Sequence, residues 1–110
     1  FWNKYCFKVK RLYVNPKSKL SYQSHEKRAE HWTVVKGVAT IERDGESFEL
    51  NAGESIFIPK KSKHSLANKR LDGLEVVEVQ SGVYLGEDDI VRYEDIYGRL
   101  KEVNQNREKI

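Results

Sequence analysis

Apolar and polar residues alternate at the start of the chain, with the period of two that is typical of a β-strand. Tyr5, Phe7 and Val9 alternate with Lys4, Cys6, Lys8 and Lys10. The phase then changes, because Leu12 and Val14 have the opposite parity. A bulge near Lys10-Arg11 would account for the change, and we predict one there.

Similar short runs continue along most of the chain and are separated by turn signals. Strands are expected at residues 5–14, 20–25, 30–36, 38–43, 47–50, 56–58 and 71–79. Asn15-Pro16, Asp44-Gly45 and Ala52-Gly53 mark turns, and Asp44-Gly45 is a strong hairpin signal. Short strands at this spacing favour an antiparallel sandwich or barrel over an alternating β/α fold.

The last part of the chain has a different pattern. Glu87-Asp88-Asp89 is expected to begin a short helical turn, with acidic groups near its positive end. Tyr93 to Leu100 is expected to form another. Residues 101–110 are polar and are expected to be a helical extension or a frayed tail. The prediction is an all-β domain with a short C-terminal helical segment.

Composition and charge narrow the class of protein. The 110 residues fit one domain, 1–110, with a core over about 5–99 and a polar tail over 100–110. A net charge of +3 argues against a nucleic-acid partner and is compatible with a small anionic ligand. The single cysteine, Cys6, gives no disulfide, and no segment has the length of a membrane span. We therefore expect a cytoplasmic protein with no membrane partner.

Candidate chemistry is concentrated in two stretches, residues 23–37 and 53–68. The first contains His25, Glu30 and His31, and the second contains His64. Imidazole and carboxylate together suit zinc, iron, manganese or nickel. We expect the two stretches to face each other inside the barrel and to form one metal site. The alternative is that His25 is a structural residue with no ligand role.

Residue parity leaves one ligand open. Glu30 and His31 cannot both point inward if their segment is extended, because neighbouring residues of a strand face opposite sides. Spacing alone does not choose between them.

Basic and polar residues near these stretches have two interpretations. Arg28 is the best candidate for a phosphate clamp, because its planar fork matches phosphate oxygens. The alternative for Arg28 and the neighbouring lysines is a solvated surface. Glu78 and Gln80 share parity with Leu74 and Val76, so they either line a cavity or mark the end where the strand emerges.

The two stretches resemble the paired metal-binding motifs of the cupin superfamily. The first motif corresponds to His25-x-Lys27, then Glu30 and Gly37. The second motif is matched by the following residues at the expected spacings: Gly53, Pro59, Lys61, His64 and Asn68. The resemblance implies a double-stranded β-helix, or jelly-roll barrel, and favours Glu30 over His31 as the ligand.

A closer resemblance is to the type II mannose-6-phosphate isomerases. It is carried by RAEHW at residues 28–32, by VV at 34–35 with Gly37, and by the run from Glu78 to Arg99. KVKRL at residues 8–12 also looks like the segment that opens this domain, so the resemblance covers nearly all of residues 5–99. In that family the domain often follows a mannose-1-phosphate guanylyltransferase domain on the same chain.

The resemblance implies a metal-dependent interconversion of mannose 6-phosphate and fructose 6-phosphate that feeds GDP-mannose and polysaccharide synthesis. The metal, which is Zn, Mn, Fe or Co, would be held by His25, Glu30 and His64. Arg28, with Lys27 or Arg99, would hold the substrate phosphate. Glu78 or His31 would be the catalytic base. Cupin-like barrels commonly pair, so a homodimer is expected, and a guanylyltransferase domain or partner is implied.

Two positions depart from the family pattern. Lys27 stands where the family has a second histidine, and an ammonium group cannot bind a metal unless it is deprotonated. Lys61 replaces a glycine, which predicts a different loop conformation at that point. The alternative function is therefore a non-catalytic cupin that binds a sugar phosphate or nucleotide sugar and partners a guanylyltransferase. A third alternative is a non-catalytic dimerising barrel that binds neither.

Overall fold

Two antiparallel sheets form the fold. A computed structural model describes residues 5–93 and 106–109 of the chain. The strands run in the following order: β1 Cys6–Val14, β2 Ser18–Lys19, β3 Gln23–Ser24, β4 Arg28–Lys36, β5 Ala39–Arg43, β6 Glu46–Leu50, β7 Ser55–Ile58, β8 His64–Asn68, β9 Leu74–Gly82, β10 Val91–Arg92 and β11 Asn106–Lys109.

The sheet topology brings distant parts of the sequence together. One sheet has the order β11-β1-β9-β4-β7 and the other has the order β10-β3-β8-β5-β6, with β2 paired to β8. All the strand pairs are antiparallel. Strand β4 lies between β9 and β7, so it has no sequence neighbour beside it. The predicted all-β architecture is confirmed.

Strand β1 contains no bulge, and that prediction is wrong. Its pairing with β9 is unbroken from Cys6 opposite Gly82 to Val14 opposite Leu74. Lys10 is buried on the same face as Val14. The apparent change of phase is therefore a change in the polarity of the interior, which is polar beside Lys10 and apolar further along the strand. The apolar odd positions from Tyr5 to Val9 face outward and are exposed.

The interior is divided into an apolar end and a polar end. Across β1, β9 and β4, Leu12, Val76 and Val34 form one row of the apolar end. The next row toward the other end is Lys10, Glu78 and Trp32. The apolar core consists of Leu12, Val14, Trp32, Val34, Ala39, Ile41, Ile56, Ile58, Leu66, Leu74 and Val76. Burying each large side chain contributes about 1.5–3 kcal/mol, so this cluster anchors the rigid sheets on which the polar end is built.

Turn residues connect successive strands, and Asp44-Gly45 forms the hairpin that the sequence predicts. Asp44 and Gly45 both have positive φ, 50° and 88°, and join β5 to β6 in a two-residue hairpin. Gly37 has φ of 94° where the chain passes from β4 to β5. A Cβ atom at Gly37 would lie 2.8 Å from the carbonyl oxygen of Gly73. Only glycine therefore fits this crossing between the sheets.

The expected C-terminal helix is absent from the part of the chain that the structure describes. Gly86 to Asp89 makes a turn, in which the Asp89 amide donates to the Gly86 carbonyl at 3.1 Å. Residues 106–109 are a strand, β11, paired with Arg11 to Val14 of β1. The expectation of a helical extension or frayed tail is wrong there, because pairing satisfies backbone groups that the edge of β1 would otherwise expose. The helix expected from Tyr93 to Leu100 lies, beyond Tyr93, outside the described residues. No helix that could cross a membrane occurs among the residues described.

Candidate metal centre

His25 lies at the polar end of the interior, immediately after β3. Strand β3 ends at Ser24, Glu26 and Lys27 form a bend, and β4 begins at Arg28. Because strand alternation stops at this bend, His25 is buried while Lys27 is exposed. The expected strand over residues 20–25 thus stops short of His25.

The His25 ring is oriented by a segment far away in the sequence. Its Nδ1 donates to the Asp89 carbonyl oxygen at 2.7 Å, and a carbonyl can only accept. The Asp89 carboxylate accepts from the amides of Glu26 and Lys27, each at 2.9 Å. The Lys61 amide donates to the His25 carbonyl at 2.7 Å. His25 is therefore held in place from two sides.

His64 opens β8, which pairs with β3 in the same sheet, and its ring is oriented in the same way. Its Nδ1 donates to the Ser62 carbonyl at 2.9 Å. The Ser62 hydroxyl donates to Asp44 Oδ2 at 2.7 Å, which fixes the loop that carries the carbonyl. In both histidines Nδ1 holds the proton of the neutral ring, so Nε2 carries a lone pair.

Glu30 brings a carboxylate between these two imidazoles. Its Oε2 lies 3.2 Å from His25 Nε2, and its Oε1 lies 3.6 Å from His64 Nε2. One ligand atom from each of the three residues lies within 4.8 Å of the others. All three side chains are at least nine-tenths buried.

The histidines are neutral in this environment. Burial lowers the pKa of His64 to about 4, although its hydrogen bond to Ser62 opposes the shift. Burial also lowers the pKa of His25. Among the residues that the structure describes, His64 Nε2 has no hydrogen-bond partner. A buried lone pair without a donor costs about 1–3 kcal/mol, and a cation would remove that cost.

The donor set therefore fits a divalent metal ion. Two neutral imidazole nitrogens and a carboxylate suit the borderline and first-row transition metals. The outer nitrogen of each ring is bound to a backbone carbonyl, which is the usual arrangement for metal-binding histidines. Three protein ligands leave further positions open to water or substrate.

Arg28 lies inside this cluster. Its Nη2 and Nε donate to Glu30 Oε2 at 2.8 and 2.9 Å, and its Nη2 lies 3.3 Å from His25 Nε2. The side chain is 8% exposed. The residue expected to clamp phosphate thus forms a buried ion pair with a candidate metal ligand.

Glu78 lines the interior beside Glu30. Trp32 Nε1 donates to its Oε2 at 2.9 Å, and Gln80 Nε2 donates to its Oε1 at 3.0 Å. Burial, together with the charge of Glu30, raises the pKa of Glu78 to about 7. Glu78 and Gln80 are both buried. Of the two alternatives for this strand, the structure shows the lined interior.

Two further residues expected at the site, His31 and Lys27, lie elsewhere. His31 is exposed on the outer face of β4, with its ring 6.4 Å from that of Phe57. The Lys27 ammonium sits 5.2 Å from the centre of the Tyr84 ring, outside the cluster. Arg99 lies outside the described residues.

Sequence reasoning did not identify Lys10 or Asp89 as site residues. Lys10 is buried opposite Glu78, and its Nζ donates to Glu87 Oε2 at 3.0 Å. The signal for Lys10 is that it shares parity with Leu12 and Val14. The change of phase was attributed to a bulge instead. No local pattern marks Asp89, because its contacts with His25 span 64 residues.

Lys61 has a backbone conformation that favours glycine. Its φ is 69°, in the left-handed region. That the loop differs from that of glycine-containing relatives stays a prediction. The loop is fixed by its surroundings, because the Lys61 amide must reach the His25 carbonyl.

The fold belongs to the cupin class. A cupin 2 conserved barrel domain protein from Salinispora arenicola superimposes with a TM-score of 0.62 and 23% identity, covering 67% of this chain and 61% of that chain. A protein with a double-stranded β-helix domain from Klebsiella pneumoniae gives a TM-score of 0.70 at 20% identity, covering 81% of this chain and 76% of that chain. The predicted double-stranded β-helix is confirmed.

Sequence comparison identifies the family within this class. The sequence model described as "Mannose-6-phosphate isomerase C-terminal" matches residues 2–95. The chain belongs to this family, as the motifs of the sequence predicted.

Curated relatives share about half of their aligned residues with the chain. The alginate biosynthesis protein AlgA of Pseudomonas aeruginosa is 52% identical over 96 residues, which cover 87% of this chain and 20% of that protein. A mannose-1-phosphate guanylyltransferase of Salmonella montevideo is 48% identical over 105 residues, covering 89% of this chain and 22% of that protein. The chain therefore spans about a fifth of the length of these relatives.

Proposed function

We propose that the chain is a metal-dependent isomerase domain that interconverts mannose 6-phosphate and fructose 6-phosphate. The observation that carries this proposal is the convergence of two imidazole lone pairs on the Glu30 carboxylate, with His64 Nε2 unpartnered within residues 5–93 and 106–109. Membership in the isomerase family supplies the substrate class.

His25, Glu30 and His64 would hold the metal. When bound, a divalent cation supplies a Lewis acid that stabilises negative charge on the sugar oxygens as the proton moves between C1 and C2. The ion could be zinc, manganese, iron or cobalt, because the donor set suits each of them.

Glu78 is the proposed proton carrier. Isomerisation of an aldose to a ketose requires a group that removes a proton from one carbon and returns it to the next. Glu78 has a pKa of about 7, so it can take and release a proton near neutral pH. The Trp32 indole and the Gln80 amide fix the carboxyl group in place.

Cations at the polar end would hold the phosphate. Arg28 has the geometry for phosphate oxygens, and Lys10 adds a second buried cation on a neighbouring part of the sheet. Lys27 and Arg99 stay as candidates from the family resemblance. Binding the phosphate would orient the sugar, which is the main contribution that remote charges make to such a reaction.

An isomerase assay tests the proposal. The purified protein is supplied with mannose 6-phosphate and with zinc, manganese, iron or cobalt in turn, and fructose 6-phosphate is measured against a metal-free blank. His64→Gln should abolish metal-dependent turnover, whereas His31→Gln on the outer face should keep it. The absence of product with every metal would refute the enzyme proposal.

A sugar-phosphate or nucleotide-sugar binding module is the second candidate. It is supported by the Arg28–Glu30 ion pair, which neutralises the buried carboxylate without a metal. This candidate predicts ligand binding without turnover. Metal analysis of the purified protein, combined with the assay above, separates the two candidates.

The relatives suggest the wider context. One of them is a mannose-1-phosphate guanylyltransferase that is several times longer than the matched region. We infer that the domain works within or beside a guanylyltransferase in the synthesis of GDP-mannose for polysaccharides. Co-purification with such an enzyme, or a single longer transcript, would support this inference.

A homodimer is also proposed. The outer face of the five-stranded sheet exposes Val9 and Phe57 on the row that contains His31. Pairing of two copies would cover such apolar side chains and the sheet edges. Sedimentation equilibrium of the wild type and of a Phe57→Glu variant tests this proposal, and the variant should be monomeric.

A further inference from the structure

We propose that the Arg28 guanidinium and a divalent cation are alternative occupants of the same acceptor atoms, so that metal binding releases Arg28 from Glu30 and His25. This inference rests on the proposed metal site and adds a role for Arg28 in it. The released guanidinium would then be available to an anionic group of the substrate.

The two acceptors that Arg28 uses are atoms that a metal would need. Glu30 Oε2 accepts two N–H groups of Arg28, from Nη2 and Nε. The same Arg28 Nη2 lies within hydrogen-bond distance of the His25 Nε2 lone pair, at 3.3 Å. In the structure, the guanidinium thus partly neutralises the donor set as a cation would.

The third ligand atom is left out of this arrangement. His64 Nε2 has no hydrogen-bond partner in the described part of the chain, although it lies 3.6 Å from Glu30 Oε1. Arg28 is therefore an incomplete substitute for a metal ion, which could bind all three residues. His64 Nε2 would be the first donor atom to contact an incoming ion.

Charge makes the two occupants exclusive. The Arg28–Glu30 pair is neutral as a whole, and both side chains are at least nine-tenths buried. An ion with two positive charges beside Glu30 would repel the guanidinium strongly, since charges interact more strongly in the buried interior than in water. Without a metal, Arg28 prevents Glu30 from being a buried unpaired carboxylate.

This role predicts a specific change in metal affinity. Zinc binding is measured by calorimetry for the wild type, for Arg28→Met and for Arg70→Met, an exposed arginine whose ion pair with Glu49 is on the surface. Arg28→Met should bind zinc about tenfold more tightly than the wild type, within the usual range of coupling between competing ligands. Arg70→Met should be unchanged. Equal or weaker zinc binding by a folded Arg28→Met variant would overturn the proposal.

A second measurement uses the wild type and does not depend on the folding of Arg28→Met. The Nε–Hε resonance of Arg28, assigned with an Arg28→Lys variant, is followed during addition of zinc. The resonance should shift, and the Hε proton should exchange faster with water, because the hydrogen bond from Arg28 Nε to Glu30 is lost. If zinc binds and the resonance does not change, Arg28 stays with Glu30 and the proposal fails while the metal site stands. If zinc does not bind to the wild type, the proposed function fails as well.

Discussion

Trp32 and Glu78 face each other on neighbouring strands, and the indole Nε1 donates to the Glu78 carboxyl at 2.9 Å. The pair marks the boundary between the apolar core and the polar end of the interior. Trp32 belongs to the core cluster, while Glu78 lies beside Glu30. Their contact fixes an ionisable group in a place where burial raises its pKa.

The stability of the metal-free protein should therefore depend on Glu78. Its pKa in the folded state, about 7, is above the ordinary value of 4.5. Folding favours the protonated carboxyl. The contribution of Glu78 to the free energy of unfolding is therefore fully present below the ordinary pKa and is lost as pH rises through about 7. Relative to Glu78→Gln, the wild type should lose roughly 3 kcal/mol of unfolding free energy across that range. Urea denaturation at several pH values in the presence of a chelator measures this difference.

His64 makes stability depend on pH in the opposite direction, and it does so in both the wild type and Glu78→Gln. Its pKa is lowered from 6.5 to about 4, so its contribution to stability is lost as pH falls through that interval. In Glu78→Gln the main change in unfolding free energy should be this loss of the His64 contribution as pH falls. Glu75→Gln, on the same strand as Glu78 but 25% exposed, is the matched control and should follow the wild type. A constant difference between wild type and Glu78→Gln at all pH values would contradict the assignment.

Lys61→Gly should stabilise the protein. Lys61 has φ of 69°, where a residue with a side chain pays about 1–2 kcal/mol, and glycine removes that strain at some cost in unfolded-state entropy. The net gain should be roughly 0.5–1 kcal/mol by urea denaturation. The neighbouring exposed residue provides the control, since Lys60→Gly should destabilise. If both variants destabilise equally, the left-handed conformation at Lys61 is not a source of strain.

Asp89→Asn should weaken metal binding. Both carboxylate oxygens of Asp89 accept backbone amides, and an asparagine would turn its own N–H₂ toward one of them. The Asp89 carbonyl that orients His25 should then shift. Affinity for zinc should fall by about tenfold, as for other changes to groups that orient metal ligands. Asp88→Asn, which changes an exposed carboxylate that accepts from the Tyr84 hydroxyl, should bind zinc like the wild type. An equal effect of both variants would mean that the loop acts through its charge.

Lys27→His should leave metal affinity unchanged. The Lys27 side chain is exposed and lies over the Tyr84 ring. The imidazole of a histidine at this position is therefore expected to lie outside the cluster of His25, Glu30 and His64. Calorimetric titration with zinc compares it with the wild type. Tighter binding by Lys27→His would show that the bend can turn this residue inward, and the departure from the family motif would then be a lost ligand.

Much of the fold follows from local features of the sequence. Alternation identified most of the strands, and Asp44-Gly45 set a hairpin because both residues accept positive φ. The C-terminal strand was missed, because residues 106–109 pair with β1 through backbone contacts that leave no local pattern. The bulge in β1 was predicted wrongly because the inward-facing Lys10 was not recognised as such. The inward face of a strand need not be apolar where the interior becomes polar.

The sequence by itself determined the family, the class of fold and the residues capable of binding a metal, because motif spacing and residue type are local properties. It could not decide by parity whether Glu30 or His31 points inward. Only the tertiary structure placed Glu30 between His25 and His64, put Lys27 outside and paired Arg28 with Glu30. These outcomes depend on contacts between segments far apart in the chain. The protonation of Glu78 is decided in the same way, since burial and a neighbouring charge exist only once the sheets have closed.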